Sequence, residues 1–132
     1  MASIRLEIQI VTDAATIWDA VRDVGAVHRR LAPGFVTDTR MEGDTRVVTF
    51  FNGQVARERI VSLDDDAMRL AYAISSERLQ HHHAVIAVAA EGAGRCRMAW
   101  TTDVLPEGAA ATFRSMMEQG AETMRRTMEG EA

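Results

Sequence analysis

The sequence contains no lysine; all 15 of its basic residues are arginine. That excludes a lysine Schiff base and the carbonyl chemistry that depends on one. A lone cysteine, Cys96, rules out an intramolecular disulfide and any cysteine-based zinc cluster. Aromatic residues make up only 5% of the chain, with a single tyrosine, Tyr72. Nineteen acidic residues against 15 basic ones give a net charge of −4, so there is no basic footprint for nucleic acid. No apolar run approaches the roughly 18 residues that span a membrane. An alternating strand follows directly on Met1-Ala2-Ser3, where a signal peptide would need an apolar core, so a cytoplasmic location is expected. Dinucleotide and phosphate-loop glycine patterns are missing, as is a nucleophile elbow, and no cofactor is expected.

What is present reads as one domain over residues 1–132, with 47% apolar and 26% charged residues. Ser3 to Val11 alternates, with Ile4, Leu6, Ile8 and Ile10 on one face, and predicts a half-buried strand. Asp13 is positioned to cap a helix from Ala14 to about Arg22, and a second short helix covers about Val24 to Leu31. From Phe35 the period becomes two. Strands are predicted at Phe35–Met41, Thr45–Phe51, Gln54–Leu63, Met68–Ser75, His81–Ala90 and Arg95–Leu105. Asn52-Gly53 signals a primed two-residue hairpin turn, and Asp64-Asp65-Asp66 reads as a solvated turn. After Pro106, Ala109 to Glu129 forms a long amphipathic helix. Phe113, Met116, Met117, Gly120, Met124, Thr127 and Met128 share an arc of about 120°. The expected architecture is α+β, a seven-stranded antiparallel sheet that curls around the C-terminal helix and leaves a pocket between them.

This order resembles the helix-grip fold of the START-like (SRPBCC) superfamily, and in character its bacterial polyketide cyclase/dehydrase-like members. The resemblance spans nearly the whole chain. It is carried by Ile17-Trp18-Asp19-Ala20-Val21, Leu31-Ala32-Pro33-Gly34, Glu58-Arg59-Ile60-Val61-Ser62-Leu63-Asp64, Arg78-Leu79, Trp100, and Val104-Leu105-Pro106-Glu107-Gly108. The plant hormone receptors of this superfamily have a longer gate loop after the third strand. Asn52-Gly53 leaves no room for one, which ranks hormone-type gating low. The resemblance implies a small hydrophobic or aromatic ligand between sheet and helix. It is also compatible with cofactor-free acid–base catalysis of the cyclase, dehydratase or aromatase kind. The competing readings are a non-catalytic carrier or sensor and a protein-interaction domain with a vestigial pocket.

Three side chains are candidates for chemistry. Glu58 shares a strand face with Ala56, Ile60 and Ser62, which points it inward, either as a pocket acid or as the partner of a neighbouring arginine. In His81-His82-His83 alternation splits the three imidazoles between two faces, so they cannot converge on one metal ion. The resemblance gives His82 the place of a cavity-lining aromatic, with Ala84 and Ile86 following on its face. Glu58 and His82 are expected as proton carriers and Tyr72 as an orienting hydroxyl. Ile60, Ala84, Ile86, Trp100, Phe113, Met117, Gly120 and Met124 are expected to touch the ligand. Trp100 poses a conflict: its pattern groups it with Cys96 and Met98 on a buried face. The hormone receptors instead imply that Ala99, Thr101 and Asp103 point inward, leaving Trp100 outside, at the contact of a possible homodimer. Gly120 leaves a gap in the helix stripe where a ligand or the facing sheet can approach the backbone.

Overall fold

The computed structural model describes residues 1–130. Seven strands form one sheet: β1 (Ala2–Ile10), β2 (Val36–Glu42), β3 (Thr45–Phe50), β4 (Val55–Asp64), β5 (Arg69–Ile74), β6 (His81–Ala90) and β7 (Cys96–Leu105). Their order across the sheet is β1-β7-β6-β5-β4-β3-β2, with every neighbouring pair antiparallel. Short turns account for the consecutive pairings. The helices account for the closing one, because α1 (Ala14–Arg22) and a π-type turn at Val27–Leu31 carry the chain from one sheet edge to the other. The long helix α2 (Ala110–Met128) follows a short 3-10 turn at Glu107–Ala109. This is the helix-grip arrangement, a curved antiparallel sheet around a C-terminal helix.

Alternation sets the faces. Ile4 and Ile10 on β1, Cys96, Met98, Trp100, Thr102 and Val104 on β7, and His82, Ala84, Ile86 and Val88 on β6 are all buried. Trp100 therefore points inward, while Ala99, Thr101 and Asp103 are half-exposed on the other face. The hydrophobic pattern of this chain gives the right face here, and matching to the hormone receptors gives the wrong one. From α2, Met117, Gly120, Ala121 and Met124 are buried against the sheet. The helix lies close on β1, β7 and the Val27–Leu31 turn and stands off from β3, β4 and β5. That asymmetry leaves space on one side of the helix.

Three local expectations are corrected. Asp13 does not cap α1 with its side chain; its Oδ1 accepts a hydrogen bond from the Gly94 amide at 2.9 Å and ties the β6–β7 turn to the helix start. The second short helix is a five-residue π-type turn, because Val24 and Gly25 are spent on reversing direction after Arg22. Asp65 is more than a solvated turn residue. It accepts from Trp18 Nε1 at 2.9 Å and from Arg22 Nε at 2.8 Å, fastening α1 to the β4–β5 turn. The Arg22 guanidinium, followed by the Trp18 indole, holds the Asp65 carboxyl below its usual range.

Candidate functional site

A cavity of about 710 Å³ lies between the sheet and α2. Most of its wall is apolar. Val48, Phe50, Ile74, Ile86 and Trp100 come from the sheet, Val27, Leu31 and Phe35 from the segment before β2, and Phe113, Met116, Met117 and Met124 from α2. Its mouth is bordered by Gln54 and Val55 after the β3–β4 turn, Ser75, Ser76 and Arg78 between β5 and β6, and Thr112 on the first turn of α2. These six residues are exposed. Phe51, half-exposed beside the mouth, leans on Phe35 with ring centroids 5.8 Å apart.

Besides Thr102 on β7, four buried side chains with ionisable or hydroxyl groups interrupt the apolar wall: Arg46 on β3, Glu58 on β4, Tyr72 on β5 and His82 on β6. Arg46 and Glu58 are cross-strand partners. Arg46 Nε donates to Glu58 Oε1 at 2.7 Å, and the two residues are only 4% and 7% exposed. The Arg46 guanidinium also lies over the Tyr72 ring, its Cζ 5.0 Å from the centroid. This geometry adds a cation–π attraction that low exposure strengthens. Tyr72 and His82 rings are 5.9 Å apart, and His82 and Phe113 rings 5.2 Å apart. The four side chains thus form one patch, closed on the helix side by Phe113.

The hydrogen bonds fix the protonation chemistry of this patch. The Ile74 amide donates to His82 Nδ1 at 3.0 Å, so the ring proton resides on Nε2. Burial, reinforced by the neighbouring His83 and His81, lowers the His82 pKa to about 4. His82 is therefore a neutral imidazole at pH 7 whose free function is an N–H donor. Trp100 Nε1 donates to the Tyr72 hydroxyl oxygen at 3.1 Å. Burial, together with the nearby Glu58 charge, pushes the Tyr72 phenol well above its ordinary pKa, so it too keeps its proton. Outside the patch, burial raises the Cys96 thiol and makes it a poor nucleophile.

The His82 arrangement has a measurable consequence. An unfolded imidazole protonates near 6.5, whereas the folded one resists until about 4. Between those values the unfolded chain binds more protons, so stability falls as pH drops from about 6.5 towards 4 and is fully recovered above 6.5. The size of this term is about 3 kcal/mol. Urea midpoints of the His82→Phe variant should accordingly fall less than wild type between pH 7 and pH 4. Parallel pH profiles for the two proteins would contradict a buried neutral His82.

The structure brings together Glu58, Tyr72, His82, Ile86, Trp100, Phe113, Met117 and Met124 around the cavity. Ile60, Ala84 and Gly120 do not line it. Ile60 is a partly buried residue packed on the core, the last before a register shift that reorients β4. Ala84, fully buried, sits in register between Tyr72 on β5 and Thr102 on β7. Gly120 is filled from the sheet side: a Cβ there would lie 3.0 Å from Phe35 Cε2 and 3.3 Å from Trp100 Cη2.

The residue that sequence reasoning missed is Arg46. Its signal was available in Thr45–Phe51, where alternation groups Arg46 with Val48 and Phe50. The turn concealed its partner. Phe50 N bonds Gln54 O and Gly53 N bonds Phe50 O, so Phe51-Asn52-Gly53 is a three-residue loop with Gly53 at φ +84°. A two-residue Asn52-Gly53 turn would instead have set Arg46 opposite Arg59. The extra loop residue shifts the register by one and places Glu58 there.

A seven-stranded helix-grip sheet with a partly polar cavity beneath its long helix defines the class: a START-like fold. The profile of the family described as polyketide cyclase / dehydrase and lipid transport matches residues 1–129, and the chain belongs to that family. Among solved structures it is similar to a Thermobifida fusca protein, with 24% identity, TM-score 0.78, and coverage of 98% of this chain and 91% of that one. It is also similar to a START superfamily protein from Mycobacterium smegmatis, with 12% identity, TM-score 0.72 and coverage of 97% and 94%. A third likeness is to norcoclaurine synthase from Thalictrum flavum, with 18% identity, TM-score 0.74 and coverage of 98% and 84%. No curated protein matches the sequence. No helix among the described residues is long and apolar enough to cross a membrane.

Proposed function

We propose that this chain binds one small, largely apolar molecule between the sheet and α2, with the molecule's polar end at the Arg46–Glu58–Tyr72–His82 patch. The observation that carries this reading is a cavity of about 710 Å³ whose wall is mostly apolar and whose buried ionisable side chains all fall in that one patch. An interaction domain with a vestigial pocket would instead have its core filled at this place. Mass spectrometry under native conditions on protein purified from its own host tests the reading by detecting a co-purified small molecule. Recovery of the bare chain, combined with no uptake of any aromatic probe, would sink it.

The patch also favours cofactor-free proton transfer over passive carriage. A carrier of apolar ligands has no need for a buried ion pair beside two further hydrogen-bonding rings, since polar groups are costly to bury. In this reading Glu58 is the base, because the His82 Nδ1 lone pair is engaged and Tyr72 holds its proton. His82 and Tyr72 then act as donors, a change from the expected role of His82 as a proton carrier. The reaction class is ring closure, dehydration or aromatisation of a polyketide-like substrate. Glu58→Gln should lower turnover by about 10²- to 10⁴-fold while ligand affinity stays within a few fold. His82→Ala should lower turnover less, because a donor is lost and the base remains. Unchanged turnover in Glu58→Gln removes the catalytic reading and leaves the binding one standing.

A further inference from the structure

We propose that the patch recognises a carbonyl oxygen, a ligand C=O lodged among Arg46 Nη1, the His82 Nε2–H and the Tyr72 O–H. This rests on the reading that the cavity binds a ligand and names the group that is read there.

Arg46 is the least satisfied side chain of the patch. A guanidinium carries five N–H donors and no acceptor. Its Nε serves Glu58, yet Nη1 is buried and has no acceptor among the described residues. Leaving such a donor unmade is costly, because it loses its water partners and gains none in return. The residue is only 4% exposed and borders the cavity. His82, 5% exposed, has its Nδ1 taken by the Ile74 amide and keeps one donor, Nε2–H, with no partner among the described residues. The Tyr72 oxygen accepts from Trp100 and retains its own proton to give. Three donors, on β3, β5 and β6, therefore border the cavity, with the Tyr72 ring between the Arg46 guanidinium and the His82 ring. Glu58, the carboxylate of the patch, accepts from Arg46 Nε and from none of these three donors.

Charge decides between kinds of oxygen. The Arg46 charge is neutralised by Glu58 at 2.7 Å, so the patch offers donors without net positive charge. A ligand carboxylate would enter beside the Glu58 carboxylate in a poorly hydrated space, where like charges repel strongly. A carbonyl takes the same donors without that repulsion. Donors fixed around a carbonyl oxygen also stabilise negative charge developing on it, as an enolate would require.

The test compares three naphthalenes of nearly equal shape titrated calorimetrically into the full chain: 2-acetylnaphthalene, 2-ethylnaphthalene and 2-naphthoate. The ketone should bind about tenfold tighter than the ethyl compound, and the carboxylate no tighter than the ethyl compound. The infrared C=O stretch of bound 2-acetylnaphthalene should lie below its position in hexane. Tyr72→Phe and His82→Phe, which keep the rings, should each move that band back and shrink the affinity advantage. Arg46→Met should abolish the advantage if the variant folds, and the two ring variants carry the test if it does not. Equal affinity of ketone and ethyl compound overturns the carbonyl site while leaving a ligand-binding cavity. Tightest binding of 2-naphthoate overturns it in favour of an anion site, and binding of none of the three overturns both this inference and the cavity reading.

Discussion

Arg46→Met should lower the free energy of unfolding by about 3–5 kcal/mol, a large share of the total for a chain of this size. The reason lies in what remains. Removing the guanidinium leaves the Glu58 carboxylate 7% exposed with its 2.7 Å partner gone, and strips Tyr72 of the cation over its ring. The loss is chiefly the cost of an uncompensated buried charge and says little about the net worth of the pair. The double variant Arg46→Met/Glu58→Gln should therefore recover more than half of the loss, since a neutral amide is cheaper to bury. Urea denaturation followed by circular dichroism reads both numbers. A single-variant loss under about 1 kcal/mol would show that water reaches Glu58 freely and that the patch is wetter than its exposure indicates.

Gly120→Leu has the second largest expected effect. A Cβ at this position already meets Phe35 at 3.0 Å and Trp100 at 3.3 Å, and a leucine sends three further carbons into the same rings. Overpacking of this kind costs about 1–3 kcal/mol, and the upper end is expected where two aromatic side chains must move together. Both rings border the cavity, so the displacement also narrows the space for a ligand. Thermal unfolding should show a drop of several degrees, and uptake of 2-acetylnaphthalene should weaken by about tenfold or more. Gly120→Ala is the control. It gains about 1 kcal/mol of helix propensity, which offsets a small tilt of Phe35, so its stability should stay close to wild type. A Gly120→Leu protein with wild-type stability would mean that the Phe35 and Trp100 rings are not packed against the helix backbone.

Much of the fold is written in periodicity. Alternation in β1 and β7, and a methionine stripe repeating at 3.6 residues in α2, leave little freedom about which faces meet. That is why Trp100 could be placed from its neighbours Cys96 and Met98 alone. The candidate site is less legible because it depends on quantities that pattern does not carry. Glu58 could be pointed inward, but its partner depends on whether the Asn52-Gly53 turn holds two residues or three, and one residue exchanges Arg59 for Glu58 opposite Arg46. His82 could be given a face. Its donor role comes from an amide on β5, eight residues away in sequence. Gly120 was legible as a gap, and what fills it was not, since Phe35 and Trp100 reach it from distant segments. Asp13 and Asp65 follow the same rule. Their sequence context predicts a cap and a solvated turn, and tertiary partners claim both carboxylates.

The hydrogen bond from the Trp100 indole to Tyr72 also gives the protein an optical reporter. Of its two tryptophans, Trp100 borders the cavity, whereas Trp18 is held at the β4–β5 turn by Asp65. Fluorescence from Trp100 thus comes from beside the polar patch, with a background that a Trp18→Phe substitution subtracts. A ring stacked in the cavity, a carbonyl drawing on the Tyr72 proton, or water admitted in its place would each change the polarity around that one indole. The occupancy of the site can be followed without an added label, at the concentrations used for titration.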